Sequence, residues 1–266
     1  MLELTRRLLV AAEGGEPVLL ASVLDPGREV LIAGARLLVE RDGSRMGSLG
    51  DPALDGLVAG GRDDLFRRHA AETVYLADGA LTPRTVAGAA AIYLEVVEAK
   101  PEILIVGAGH IGRSLAKLAD FLDFQVAILD DREEFADARV VPEADQVICD
   151  DYEAAIDRFP IGPSTSVVMV TRGHKQDEIA LRRVLGRGAG YVGMIGSKRR
   201  TAAVLSHLKE EGFDAGELAA VRTPIGLDIG AETPEEIALS IMAEVLMLRR
   251  GGTGQPMYRR PAGLRD

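Results

Sequence analysis

The sequence predicts an α/β protein in which a smaller α+β domain precedes a Rossmann-type doubly wound parallel sheet. Three observations predict it. The apolar run at residues 103–106 enters Gly107-Ala108-Gly109-His110-Ile111-Gly112, a G-x-G-x-x-G loop lying between a strand and a helix. About twenty residues further on, a second apolar strand ends in Asp130-Asp131, where a carboxylate can face a ribose. From there strand and helix patterns alternate, as in a parallel sheet with helices on both faces.

In chain order, residues 1–100 make up the α+β domain. A helical pattern at 5–13 is followed by strand patterns at 18–24 and 30–40, and Arg41-Asp42-Gly43-Ser44 reads as a hairpin-type turn. Residues 54–70 are expected to be helical, with strands at 73–76 and 91–97. The boundary falls at Lys100-Pro101, because a residue before proline is pushed out of the helical region. Residues 101–250 form the Rossmann-type domain. Its strands are expected at 103–106, 126–129, 146–149, 166–171 and 191–194, and its helices near 111–122, 151–158, 175–186 and 198–211. Thr233-Pro234-Glu235-Glu236 opens a last helix with an N-cap threonine, proline at the first helical position and glutamate three residues after the cap. That helix reaches about Leu248, carries apolar residues on most faces and is expected in the core. Residues 251–266, with glycines, prolines and arginines, read as a flexible tail.

Composition excludes several classes. A net charge of −10, with acids outnumbering bases in both halves, argues against nucleic-acid binding, which wants a basic face. No apolar run is long enough to span a membrane, and the N-terminal residues carry Glu3 and two arginines instead of a signal-peptide core. The expected location is cytoplasmic. A single cysteine, Cys149, excludes a disulfide framework and a cysteine-rich metal site, and at the end of its strand it is expected as a small core hydrophobe. No metal site is expected.

Ligands of doubly wound sheets bind beyond the carboxyl ends of the strands. Gly107 permits the tight turn there, Gly109 lets the backbone approach a pyrophosphate, and Gly112 lets the helix pack closely. His110 suits a neutral hydrogen-bonding role, since a helix N-terminus disfavours its protonated form. Asp130 is expected on ribose hydroxyls, and Arg132 could meet a 2′-phosphate, so NAD and NADP both stay open. After the fourth strand come Thr171-Arg172-Gly173-His174 and Asp177. Arg172 is a candidate cofactor ligand; His174 and Asp177 share a helix face, as a proton-transfer pair or as a capping pair. After the fifth strand, Gly196, Ser197, Lys198, Arg199 and Arg200 read as a phosphate cradle, because cations at a helix start oppose the macrodipole. The plainer alternative is a basic helix start facing solvent. Residues 224–232 present Asp228 from a lid, an interface or a structural crossover. His69 and His207 look like surface histidines.

Longer motifs run through these positions: Gly-Ala-Gly-His-Ile-Gly at 107–112, Thr-Arg-Gly-His-x-x-Asp at 171–177 and Tyr-x-Gly-Met-Ile-Gly-Ser-Lys-Arg at 191–199. Pro-Ile-Gly-Leu-Asp-Ile-Gly-Ala-Glu-Thr-Pro-Glu-Glu-Ile-Ala follows at 224–238 and Ser-Ile-Met-Ala-Glu at 240–244. With these the chain resembles the xanthine dehydrogenase accessory factor family, XdhC/CoxI. The smaller domain resembles it through Gly34-Ala35-Arg36-Leu37-Leu38-Val39, Asp42-Gly43 and Gly47-Ser48. The resemblance implies a cofactor chaperone more than a catalyst. Such a factor binds the molybdenum cofactor (molybdopterin), helps it gain its terminal sulfur and hands it to an apo molybdenum hydroxylase of the xanthine dehydrogenase type. A cysteine desulfurase is a further expected partner, and a homodimer is expected because soluble oligomers are most often twofold. One departure stands out. Where the family has Gly-Gly-Cys-Val/Leu-Glu, this chain has Asp51-Pro52-Ala53-Leu54-Asp55, so Ala53 replaces a cysteine and Asp55 a glutamate. An NAD(P)-dependent oxidoreductase, with His174 as acid and base, and a nucleotide-sensing regulatory protein remain as alternatives.

Overall fold

Alternating apolar residues give the first hundred positions strands with one buried face. The computed structural model describes residues 2–29 and 31–257. It opens with α1 (Leu2–Ala12), β1 (Val18–Asp25), β2 (Arg36–Val39), β3 (Arg45–Ser48), α2 (Pro52–Gly60) and α3 (Arg62–Arg68). β4 (Ala71–Ala77), β5 (Ala80–Thr82) and β6 (Ala90–Val97) complete this unit. Among the described residues its strands form a six-stranded antiparallel sheet in the order β3-β2-β1-β6-β4-β5. Ile92 and Leu94 of β6 share a core with Leu54, Val58, Leu65 and Phe66 of α2 and α3. Leu4 and Ala11 of α1 pack on Val18 and Leu38 in a separate cluster.

Three features of this unit differ from the sequence expectation. The helical stretch at 54–70 is two helices that meet at Gly61, and the Arg62 side chain donates back to the Ala59 and Arg41 carbonyls. The strand expected at 30–40 shortens to Arg36–Val39, with Val30 outside the described residues. Gly34 turns the chain just before it, at φ +82°, and donates its amide to the Val23 carbonyl. β3 and β5 are too short and too exposed to leave a period-2 signal.

The second unit runs β7 (Glu102–Val106), α4 (His110–Phe121), β8 (Gln125–Asp130), β9 (Gln146–Cys149), α5 (Tyr152–Arg158) and β10 (Thr165–Met169). It continues with α6 (His174–Val184), β11 (Tyr191–Met194), α7 (Lys198–Glu210), α8 (Ala215–Ala220) and α9 (Pro234–Arg250). The strand order is β11-β10-β7-β8-β9, and every neighbouring pair is parallel. The chain leaves β7 towards β8 and β9, then returns to β10 on the other side. The order therefore reverses between β7 and β10, which places a crevice above their carboxyl ends. β7, β8 and β10 are almost wholly buried because helices cover both faces. Leu115 of α4 and Ile241 of α9 lie in one core; Ile156 of α5, Leu181 of α6 and Leu208 of α7 lie in the other.

α9 carries the full capping box, with Thr233 and Glu236 each bonded to the other's backbone, and ends on Gly251 in the left-handed region. It packs into the core, as expected, through Ala238, Ile241, Met242 and Val245, while Leu239 and Leu248 stay exposed. The expected tail at 251–266 is described only to residue 257, where it is exposed; residues 258–266 lie outside the described residues. Cys149 is exposed, not core, because β9 is an edge strand. His69 is not a surface histidine either. Its side chain is 15% exposed, and its Nδ1 lies 2.7 and 2.8 Å from the two oxygens of Glu98, which also accepts from Arg249 at the end of α9. No helix among the described residues is long and apolar enough to cross a membrane.

Candidate functional site

The glycine loop sits at the carboxyl end of β7. Gly107 has φ +114°, and a Cβ there would lie 2.6 Å from the Val170 carbonyl oxygen, so the turn requires glycine. Gly112 is equally constrained: a Cβ would lie 2.0 Å from the Gly107 carbonyl oxygen. Gly109 is different. It is the N-cap of α4 in an extended conformation, and a Cβ there would meet nothing within 4 Å. The one unobstructed glycine is thus the one expected to face a pyrophosphate. His110 follows as an exposed residue at the helix start.

Asp130 does not face a ribose. It is wholly buried, and both oxygens are held from within the chain. Oδ2 accepts from the Ala108 amide at 2.8 Å and from Arg132 Nη2 at 3.0 Å; Oδ1 accepts from Arg132 Nε at 2.8 Å and from its amide at 3.1 Å. Burial alone would raise the Asp130 carboxyl, but these donors outweigh it and hold it below the usual range. Arg132 is correspondingly committed, with its guanidinium 3.7 Å from the centre of the Phe135 ring. Arg113 of α4 lies 5.2 Å from the same ring and donates to the Ala108 carbonyl at 3.1 Å. Asp130, Arg132, Phe135 and Arg113 therefore brace the loop. The last two carry no motif in the sequence, where only an arginine on α4 near an aromatic after β8 could have signalled them.

The next acid faces the crevice. Asp131 accepts from Arg172 Nη2 at 2.7 Å and has the Tyr152 hydroxyl at 3.4 Å. Beyond β10 the Thr171 hydroxyl donates to Asp177 Oδ1 at 2.7 Å, and the Thr171 amide reaches the same oxygen at 3.3 Å. Asp177 is 4% exposed and holds this loop from the first turns of α6. His174 starts α6, but its side chain lies outside the described residues. Ser197 is the N-cap of α7, as expected, although its side chain makes no cap hydrogen bond. Lys198, Arg199 and Arg200 are exposed on a first turn that holds no acid, and Gly196 has φ +155°. Between the starts of α6 and α7 lies a cavity of about 220 Å³ lined by Thr171, Arg172, Asp177, Gly196, Arg200 and Thr201. A neighbouring one of about 550 Å³ adds Glu178, Arg199 and His207.

Other groups lie elsewhere. Asp228 is exposed in a segment tied to α9: Gly226 donates to Glu244 at 2.9 Å, and the Ser240 hydroxyl donates to the Leu227 carbonyl at 2.6 Å. No hydrogen bond or ion pair among the described residues joins Asp228 to the glycine loop. His207 is exposed, with its ring nitrogens 2.8 Å from Glu178 and 3.3 Å from Glu211. These three offer ligand atoms within 4.8 Å of one another, but Arg182 pairs with both glutamates, so the group reads as an ion-pair network.

A family model described as the XdhC Rossmann domain matches residues 103–245. The chain belongs to the XdhC family. The protein YqeB of Escherichia coli K12, described as uncharacterized, is 28% identical over 252 residues, covering 91% of this chain and 46% of that protein. A protein of Bacillus subtilis 168, named as a probable xanthine dehydrogenase subunit, is 31% identical over 161 residues, covering 60% of this chain and 46% of that protein. The chain thus spans about half the length of the curated relatives it matches. A crystal structure described as a xanthine dehydrogenase from Bacillus halodurans has a TM-score of 0.54 at 20% identity and covers 94% of this chain and 96% of that one, a likeness of fold.

The matched XdhC span contains the glycine loop, Asp130 to Arg132, Arg172 and the start of α7. Residues 51–55, which the sequence resemblance sets against a cysteine motif, lie outside it. Ala53 is exposed in the first turn of α2, where its amide donates to the Asp51 N-cap at 2.7 Å. Asp55 is buried and accepts from the Leu49 amide at 2.8 Å, so it holds the turn before the helix. Alanine can neither ligate a metal nor carry sulfur.

Proposed function

We propose that this XdhC chain is an accessory factor for a molybdenum hydroxylase of the xanthine dehydrogenase type. It holds the molybdenum cofactor in the crevice above β7 and β10, assists its maturation and delivers it to the apo-enzyme. The observation that carries this reading is the family match over residues 103–245, which takes in the whole crevice. The xanthine dehydrogenase name of the Bacillus subtilis relative points the same way. The phosphate end of the cofactor fits. Gly109 leaves open space at the start of α4, where a helix N-terminus attracts an anion, and Arg172 and Arg200 share a cavity at the starts of α6 and α7. The molybdenum end finds no thiolate at Ala53. The bound cofactor would bring the hydroxylase its metal centre, while the chain's own share is to hold and orient the phosphate end. A cysteine desulfurase as sulfur source and a homodimer belong to the same reading.

The test is reconstitution. Apo-hydroxylase, molybdopterin and the purified chain are combined, and hydroxylase activity is followed with and without the chain. Activity is expected to rise with the chain present and to survive Cys149→Ser, while the chain alone turns over no NADH or NADPH. Reduction of a substrate by NADPH with the chain alone would overturn the reading in favour of an oxidoreductase.

A further inference from the structure

A separate cavity lies between the two units, at the amino ends of β10 and β11 and away from the crevice at the carboxyl ends of the parallel strands. It holds about 340 Å³, the scale of a small-molecule site, and such sites favour domain interfaces. Arg41, Phe66 and His69 line it from the first unit, and Ser166, Tyr191 and Arg249 from the second. Its charge is the reverse of the chain's. The molecule carries a net charge of −10, yet Arg41, Arg67 and Arg249 all face this cavity, and among the described residues Asp63 is the one acid on its walls. We propose that the cavity binds a small organic anion, whose ring lies on Phe66 and Tyr191 and whose carboxylate is met by the arginines. The site lies outside the crevice and does not depend on the cofactor reading.

The polar groups of the cavity are left open. Ser166 is only 7% exposed, and its hydroxyl has no hydrogen-bond partner among the described residues. A buried hydroxyl without a partner costs stability that a ligand would recover. Arg41 is held by the flat face of its guanidinium, 4.8 Å from the centre of the Phe66 ring, while its acid neighbour Glu16 is 3.9 Å away. The N–H edge of Arg41 is thus open to a carboxylate, which a guanidinium grips with two parallel bonds. Arg67 pairs with the exposed Asp64 at 3.0 Å, a surface contact that holds it weakly. Arg249 lies deeper, at 12% exposure, and shares Glu98 with His69. Burial holds the Arg249 guanidinium below its ordinary range, because Glu98 offsets that burial only in part. An anion entering the cavity would supply the missing charge. The apolar walls suit a ring: Phe66 and Val245 are buried, and Tyr191 has its hydroxyl taken by Glu244, so that it offers the cavity its ring.

Titration with naphthoate, its neutral amide naphthamide, and acetate tests the site. Naphthoate is expected to bind about tenfold or more tightly than either of the others, since the amide lacks the charge and acetate lacks the ring. Arg41→Gln should weaken naphthoate binding about tenfold and Ser166→Ala about threefold, and neither should lower the unfolding midpoint. Gly109→Val, which fills the crevice, should leave the affinity for naphthoate unchanged. Bound naphthoate touches both units and should slow proteolytic cutting between 98 and 101. Equal binding of acid and amide, or full affinity in both Arg41→Gln and Ser166→Ala, would overturn the inference. So would loss of naphthoate binding in Gly109→Val, which would put the anion in the crevice and leave the cofactor reading standing. No binding of naphthoate up to about 10 mM would likewise remove the anion site without touching the crevice.

Discussion

A Cβ on Gly112 would lie 2.0 Å from the Gly107 carbonyl oxygen, whereas one on Gly109 would meet nothing within 4 Å. The two glycines should therefore fail in different assays. Gly112→Ala is expected to cost about 2–3 kcal/mol of stability in urea unfolding, since helix and strand must move apart. Gly109→Val should unfold at the wild-type midpoint yet lose its ligand in a calorimetric titration; unchanged affinity would remove the crevice from consideration. Asp130 gives a pH prediction. Its carboxyl is held low in the folded chain, so its contribution is present above the unfolded value of about 3.9 and is lost as pH falls through the lower folded value. Asp130→Asn should thus be less stable than wild type at neutral pH, and the gap should narrow in thermal melts below about pH 4. The glycine spacing was legible in the sequence because Gly107 and Gly112 answer backbone needs, while Gly109 leaves the space a phosphate would approach. The split of roles between Asp130 and Asp131 was not, since two consecutive acids do not reveal which one turns inward to Ala108 and Arg132.

At the level of elements, α9 and β11 are joined through one carboxylate. Glu244, nearly buried, accepts from the Tyr191 hydroxyl at 2.6 Å and the Gly226 amide at 2.9 Å. Burial, reinforced by Glu244, pushes the Tyr191 hydroxyl well above its ordinary range. Glu244→Leu leaves two donors without an acceptor and should cost about 2–4 kcal/mol in chemical unfolding, with Tyr191→Phe costing less. At the start of α7, Lys198→Glu is expected to weaken ligand binding and flatten its dependence on salt. The same salt slope in both proteins would mean that residues 196–200 face only solvent. The inner strands β7, β8 and β10 could be read from sequence because burial on both faces makes them continuous apolar runs. β3, β5 and α8 could not, being short or exposed, and the break at Gly61 was signalled only by the Gly60-Gly61 pair inside an otherwise helical pattern.

Across the whole molecule, Glu98 links the two units, holding His69 from the end of α3 and Arg249 from the end of α9. Glu98→Gln should lower stability by about 2 kcal/mol, less than for fully buried pairs because all three side chains keep some exposure. Limited proteolysis between 98 and 101 should then become faster; an unchanged cutting rate would show that the link is incidental. Sequence periodicity revealed both sheets but not this link, because its members are far apart in the chain and each looks like a surface charge. The strand orders carry a last consequence. β6 is an inner strand of the antiparallel sheet and β7 the central strand of the parallel one, and only residues 98–101 separate them. A displacement of β6 thus reaches the start of β7 through only four residues of chain, and the glycine loop lies at the other end of that strand. A partner that grips the antiparallel sheet would therefore have a short covalent path to Gly107.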